Sequence, residues 1–166
     1  GRLGRYSVGV LNMQTGDVDR LGVPSTNFAV ARVRRDILRR SAIGAIMTRR
    51  SNISGGAGAG ATYGLDGTFA FFTNLTINTY WARTETPGVR SEDTSYRAQL
   101  NYNGDRYGLQ AEHLVIGDNF NPEVGFLRRD DFRKSRIHAR FSPRPKNIKS
   151  VRKFGYQASM EYFENG

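Results

Sequence analysis

The chain has 166 residues, enough for one domain or a contiguous part of a larger one, and Lys+Arg 25 against Asp+Glu 15 leaves it at +10. It has no cysteine, which excludes disulfides and thiolate metal sites, and no apolar run approaches the roughly 18 residues of a membrane-spanning helix. Lysine occurs only at Lys134, Lys146, Lys149 and Lys153, so arginine carries the excess charge and points to an anionic partner: nucleic acid, anionic lipid or an acidic solute.

The first residues, "GRLGRYSVGV", hold neither an initiating methionine nor the apolar core of a signal peptide, and read as a processed or internal segment. From there, period-two alternation marks about nine strands. In chain order they are Tyr6–Met13, Asn27–Arg34, Ala42–Arg49, Thr62–Phe72, Leu75–Arg83, Ser95–Tyr102, Arg106–Val115, Phe132–Ser142 and Arg152–Phe163. A helix over "RRDILRRSAIGAIM" is not expected, because caps are missing and Ile43, Ala45 and Met47 alternate.

The links alternate in length. Residues 14–26, 51–61, 84–94 and 117–131 are long; Thr73-Asn74 and Asn103-Gly104-Asp105 are tight turns, residues 35–41 form a short link, and "SPRPKNIKS" is intermediate. In an up-and-down sheet this puts the long loops at one end, an asymmetry typical of outer-membrane barrels.

The hairpin "YRAQLNYNGDRYGLQAEHL" shows the two faces. Tyr96, Ala98, Leu100 and Tyr102 share one side, and Arg97, Gln99 and Asn101 the other. Past the turn, Tyr107, Leu109 and Ala111 oppose Arg106, Gln110 and Glu112. Phe132–Ser142 sets Lys134, Arg136, His138 and Arg140 in one row. Two residues fit this scheme poorly. His113 falls on the apolar face, which calls for a bulge near Glu112 or a shorter strand, and Arg32 shares a face with Phe28 and Val30.

Chemical motifs are sparse. "GGAGAGA" precedes a strand and lacks the Lys-Ser/Thr of a phosphate loop, so it reads as an external loop. No nucleophile motif accompanies His113 or His138, the acidic residues of 117–131 lack calcium-site spacing, and no metal or cofactor is expected. Nucleic acid is not expected either, since no aromatics interleave with the basic row.

The segments "NFAVARVRRDILRRSAIGAIMTRR", "YRAQLNYNGDRYGLQAEHL" and "GDNFNPEVGFLRRDDFR" resemble an uncharacterised bacterial outer-membrane barrel family. Its members typically carry a domain similar to family-nine carbohydrate-binding modules ahead of the barrel. The resemblance implies location and architecture, with no catalytic residues to transfer. The chain lacks that domain and ends on "EYFENG" rather than a closing aromatic, so residues 1–166 read as one region of a larger barrel.

The expectation is therefore an all-β, antiparallel, up-and-down transmembrane β-barrel in the outer membrane of a Gram-negative-type envelope. Its role would be non-catalytic: pore, uptake component or surface anchor. Arg97, Gln99, Asn101, Arg106, Gln110, Lys134, Arg136, His138 and Arg140 are the candidate lumen residues, and Asp118, Asn119, Asn121, Arg128, Arg129, Asp130 and Asp131 the candidate loop contacts. The expected partners are outer-membrane lipid, an anionic or carbohydrate solute, and other envelope proteins. Two alternatives stand beside it: a soluble all-β module binding an anionic or carbohydrate ligand, and a barrel enzyme with loop-borne carboxylates.

Overall fold

Ten strands hydrogen-bond in chain order into a single open antiparallel sheet, each strand paired with the next along the sequence. The computed structural model describes residues 1–18, 20, 22–52, 58–89, 91–125, 127, 130–147 and 150–165. The strands are β1 (Arg2–Leu3), β2 (Tyr6–Gln14), β3 (Asn27–Leu38), β4 (Ser41–Arg50), β5 (Gly60–Phe71), β6 (Leu75–Glu85), β7 (Thr94–Asn103), β8 (Tyr107–Ile116), β9 (Phe132–Phe141) and β10 (Tyr156–Asn165). Among the described residues there is no α-helix. The alternating residues do this locally: a period of two can cover only one side of a strand with apolar groups, so each segment extends and pairs.

β1 is too short for a periodic signal and was not foreseen. The last strand begins at Tyr156 rather than Arg152, which lengthens the β9–β10 link to residues 142–155 and breaks the alternation of link lengths there. The β5–β6 turn takes three residues, 72–74, because Phe72 adopts a left-handed φ of 55° and is drawn out of the strand. The one register shift in the ladders is a bulge between Asp36 and Leu38.

A row of directly paired residues shows how the strands are staggered. It starts at Tyr6, the first residue of β2, passes through Thr79 and His113, and ends at Tyr162, six residues beyond the start Tyr156 of β10. The row thus climbs from the short-turn end toward the long-loop end as it crosses the sheet. Progressive shear of this kind is what closing a sheet into a barrel requires. Beyond the two-residue pairing of β1 with Tyr6 and Ser7, the outer sides of β2 and β10 are unpaired among the described residues.

The two faces are buried in the opposite sense to a water-soluble sheet. In β4 the residues Ile43, Ala45 and Met47 are exposed, and Gly44, Ile46 and Thr48 between them are half-buried. On the same apolar face Val10 is 78% exposed and Leu65 58%. Tyr63, Trp81, Ile137 and Met160 are exposed there too. Of the large exposed apolar side chains in β2 to β10, only Leu11, Met13 and Phe163, all in the edge strands, lie on the polar face. Among the described residues the buried apolar groups are just Ala42, Ile116 and Phe120. A domain stabilised in water by a core would bury far more.

Candidate functional site: the polar face and its strap

The polar face is an ordered charge network. Arg97 of β7 donates through Nε to Glu112 of β8 at 3.0 Å, and Lys134 of β9 reaches Glu161 of β10 at 2.8 Å and Glu112 at 3.9 Å. These cross-strand carboxylates match Arg97 and, of the basic row expected from the sequence, Lys134 alone. Arg136 has no carboxylate within ion-pair distance among the described residues, and Arg140 donates to the Asn103 side chain at 2.9 Å and the Gly104 carbonyl at 2.8 Å. Uncompensated positive charge on the face therefore lies toward the short-turn end. There Thr76, Asn101, Gln110, His138 and Arg140 line a recess of ≈ 490 Å³.

Two arginines reach past a whole strand by crossing a glycine. Arg32 of β3 bonds Asp66 of β5 at 2.8 Å, and the intervening β4 presents Gly44, where a Cβ would stand 2.7 Å from the Asp66 carboxylate. Arg140 of β9 reaches β7 over Gly108 of β8, where a Cβ would stand 2.9 Å from the arginine Nε. Gly9, also in a strand, has nothing within 4 Å. Gly44→Ala is expected to lower stability by about 1 kcal/mol while Gly9→Ala raises it by about 0.5 kcal/mol, a difference measurable by urea unfolding. Equal effects at both sites would remove the glycine its role beneath the ion pair.

The candidate residues divide between these settings. Arg97, Gln99, Asn101, Gln110, Lys134, Arg136, His138 and Arg140 all share the polar face through the β7–β8–β9 register. Arg106 does not. It sits in the β7–β8 turn with its guanidinium 5.7 Å from the Tyr107 ring and 5.5 Å from Phe141, on the apolar side, because the strand begins one residue later than expected. Arg32 faces Asp66 on the polar side. No bulge occurs near Glu112: β8 runs continuously and His113 does stand on the apolar face, bonded to Ser135 at 2.9 Å beside Tyr96. That histidine–serine pair lacks the third, orienting group of a nucleophilic triad among the described residues.

The loop after β8 carries what the sequence did not disclose. Residues 117–123 run back across the polar face at its long-loop end. Gly117 N–H donates to Thr94 at 3.0 Å and Asn119 N–H to Glu92 at 3.0 Å. Next, Asn121 N–H donates to the Thr84 hydroxyl of β6 at 3.3 Å, and Thr62 of β5 donates to the Pro122 carbonyl at 3.4 Å. Finally Arg50 of β4 bonds Glu123 at 2.7 Å, with the Glu123 side chain 4% exposed. Thr84 is 1% exposed and is the hub of this strap. Phe120 within the strap and Ile116 just before it are two of the three buried apolar residues among those described.

Of the loop candidates, Asn119 and Asn121 thus hydrogen-bond within the protein, Asn119 also donating to the Ser91 carbonyl at 3.0 Å, although Asn121 stays exposed. Asp118 and Asp130 are exposed and Asp131 is half-buried; Arg128 and Arg129 lie outside the described residues. Among the described residues no three His, Asp or Glu side chains converge as a metal site.

The class these features define is a single-sheet all-β protein with its apolar face uncovered and its polar face ion-paired and strapped. Compared with protein-family models, with curated proteins and with solved structures, the chain finds no match.

Proposed function

We propose that this chain is the wall of an outer-membrane β-barrel, non-catalytic, serving as a pore, uptake component or surface anchor. In this reading the apolar face meets lipid and the polar face lines the lumen. One observation carries it: in β3 to β9 the more exposed side of the sheet is the apolar one, while the charged side is mostly half-buried and partly ion-paired. Water would make the opposite choice, since uncovered apolar patches of this extent drive association. Aromatic residues mark both limits of the apolar band, Tyr96 and Tyr102 in β7 and Tyr63 and Phe71 in β5. These lie about 20–27 Å apart along the strand at about 3.4 Å per residue, against the band of about 25 Å that outer-membrane barrels present.

The shear of the sheet supports closure, with β2 and β10 joined directly or through further strands. The resemblance to an outer-membrane barrel family belongs to the same proposal. A solute for this lumen would be anionic or rich in hydroxyls, contacting Arg136, His138 and Arg140 beside Asn101 and Gln110.

The protein is expected to require detergent, to migrate faster on a gel unheated than boiled, and to conduct ions across a planar bilayer. Solubility without detergent and identical mobility would overturn the barrel in favour of a soluble binding module. A heat-dependent shift with no conductance would leave an anchor rather than a pore.

A further inference from the structure

Among the described residues the net positive charge is gathered at one end. At the short-turn end the only carboxylates among the described residues are Asp36 and Asp105. Arg2 holds Asp36 at 3.1 Å, and Arg144 holds Asp105 at 2.6 Å. Arg5, Arg35, Arg39, Arg106, Arg152 and Lys153 meet no carboxylate there. At the opposite end the described carboxylates outnumber the described cations; Arg83 is held by Asp93 at 2.9 Å and Arg50 by Glu123, while Arg49 and Arg133 meet no carboxylate among the described residues.

Two of the unpaired guanidiniums lie on the boundary of the apolar face. Arg35 stands 5.2 Å from the Tyr6 ring centroid. Arg106 covers Tyr107 and Phe141, whose rings stack at 5.3 Å. A guanidinium laid on an aromatic face keeps its in-plane N–H donors outward, the geometry that grips a phosphate with two parallel bonds. Beside Arg35 the apolar face has a dent of ≈ 600 Å³, lined by Val33, Ile43, Leu65, Phe69 and Trp81, where Gly67 contributes no side chain. Cation and dent are continuous.

We propose that the short-turn rim binds anionic phospholipid, with the phosphodiester on Arg35 and an acyl chain in the dent beside it, and a second headgroup on Arg106. The proposal rests on the barrel reading, because only a lipid-facing apolar surface brings both parts of one molecule to this place. Anionic headgroups contribute through charge about as much per arginine as a fivefold change in binding.

The test is native mass spectrometry of the refolded full chain in detergent, with added phosphatidylglycerol, phosphatidylcholine or inorganic phosphate. Phosphatidylglycerol is expected to remain bound to the wild type. Its retention should fall about fivefold in Arg35→Gln and again in Arg106→Gln, and stay unchanged in Arg49→Gln at the other rim. Equal retention of phosphatidylcholine, indifference to the two substitutions, or equal retention of inorganic phosphate would overturn lipid recognition. Binding of polyglutamate without lipid retention would overturn it in favour of an acidic protein partner. Gel mobility of the same unheated samples separates the failures. With the heat-dependent shift present, only the lipid site falls; with the shift absent, the barrel falls and the lipid site with it.

Discussion

Leu65→Arg is expected to destabilise the protein by about 2–4 kcal/mol when folding is measured by urea titration in phospholipid vesicles. Leu65 stands in the middle of β5, between Ala45 and Trp81 across the ladders, and its side chain points outward at 58% exposure. No neighbour would be crowded by a longer residue. On a face wetted by water the same change would cost within about 0.5 kcal/mol and would improve solubility. The sign and size of this single substitution therefore report which solvent the apolar face sees. A cost near zero would return the sheet to a soluble reading. Arg49→Leu gives the complementary comparison: on the same face but near the long-loop end, it is expected to be tolerated, because charges near the interface cost little.

The strands were legible because alternation is a local property. All nine periodic segments form strands, and the polar row Lys134, Arg136, His138 and Arg140 falls on one face as spacing alone requires. The misreadings have equally local causes. Arg106 shares the parity of the polar row but belongs to the turn, where parity no longer fixes direction. His113 was read as a sign of a bulge because an imidazole on an apolar face looked misplaced. The register shows it at the level of Ser135 and Tyr162, well toward the long-loop end of β8, where a polar group finds a hydroxyl partner.

What no local pattern encodes is contact between distant strands. Arg32 and Asp66 are two strands apart, and the glycine that lets them meet looks in sequence like any weak point of a strand. The strap is the extreme case, since Glu123 and Arg50 are separated by 73 positions. Its acidic and amide residues were read as external contacts because a loop of that composition usually faces solvent. Asn-Pro-Glu was visible; its anchorage was not.

Glu123→Gln is expected to release that strap and enlarge the ion conductance of the reconstituted protein. The Glu123 side chain is 4% exposed and that of Arg50 22%, so the pair is held largely out of water. Neutralising one partner leaves a shielded guanidinium facing an amide, at a cost of about 1–3 kcal/mol. A shift of about 1.4 kcal/mol changes the ratio of seated to released strap tenfold. The neighbouring ties, Asn121 to Thr84 and Thr62 to Pro122, are single bonds to neutral groups and are worth less. Protease cleavage within residues 117–125 should rise in step with conductance if the strap narrows the lumen. Arg50→Gln alone should act in the same direction, and the Arg50→Gln/Glu123→Gln double substitution should cost less than the two singles together, since each single already loses the bond between them. Increased cleavage with unchanged conductance would mean that the strap covers the polar face without controlling passage. Additive costs in the double variant would dissolve the pair as the anchor.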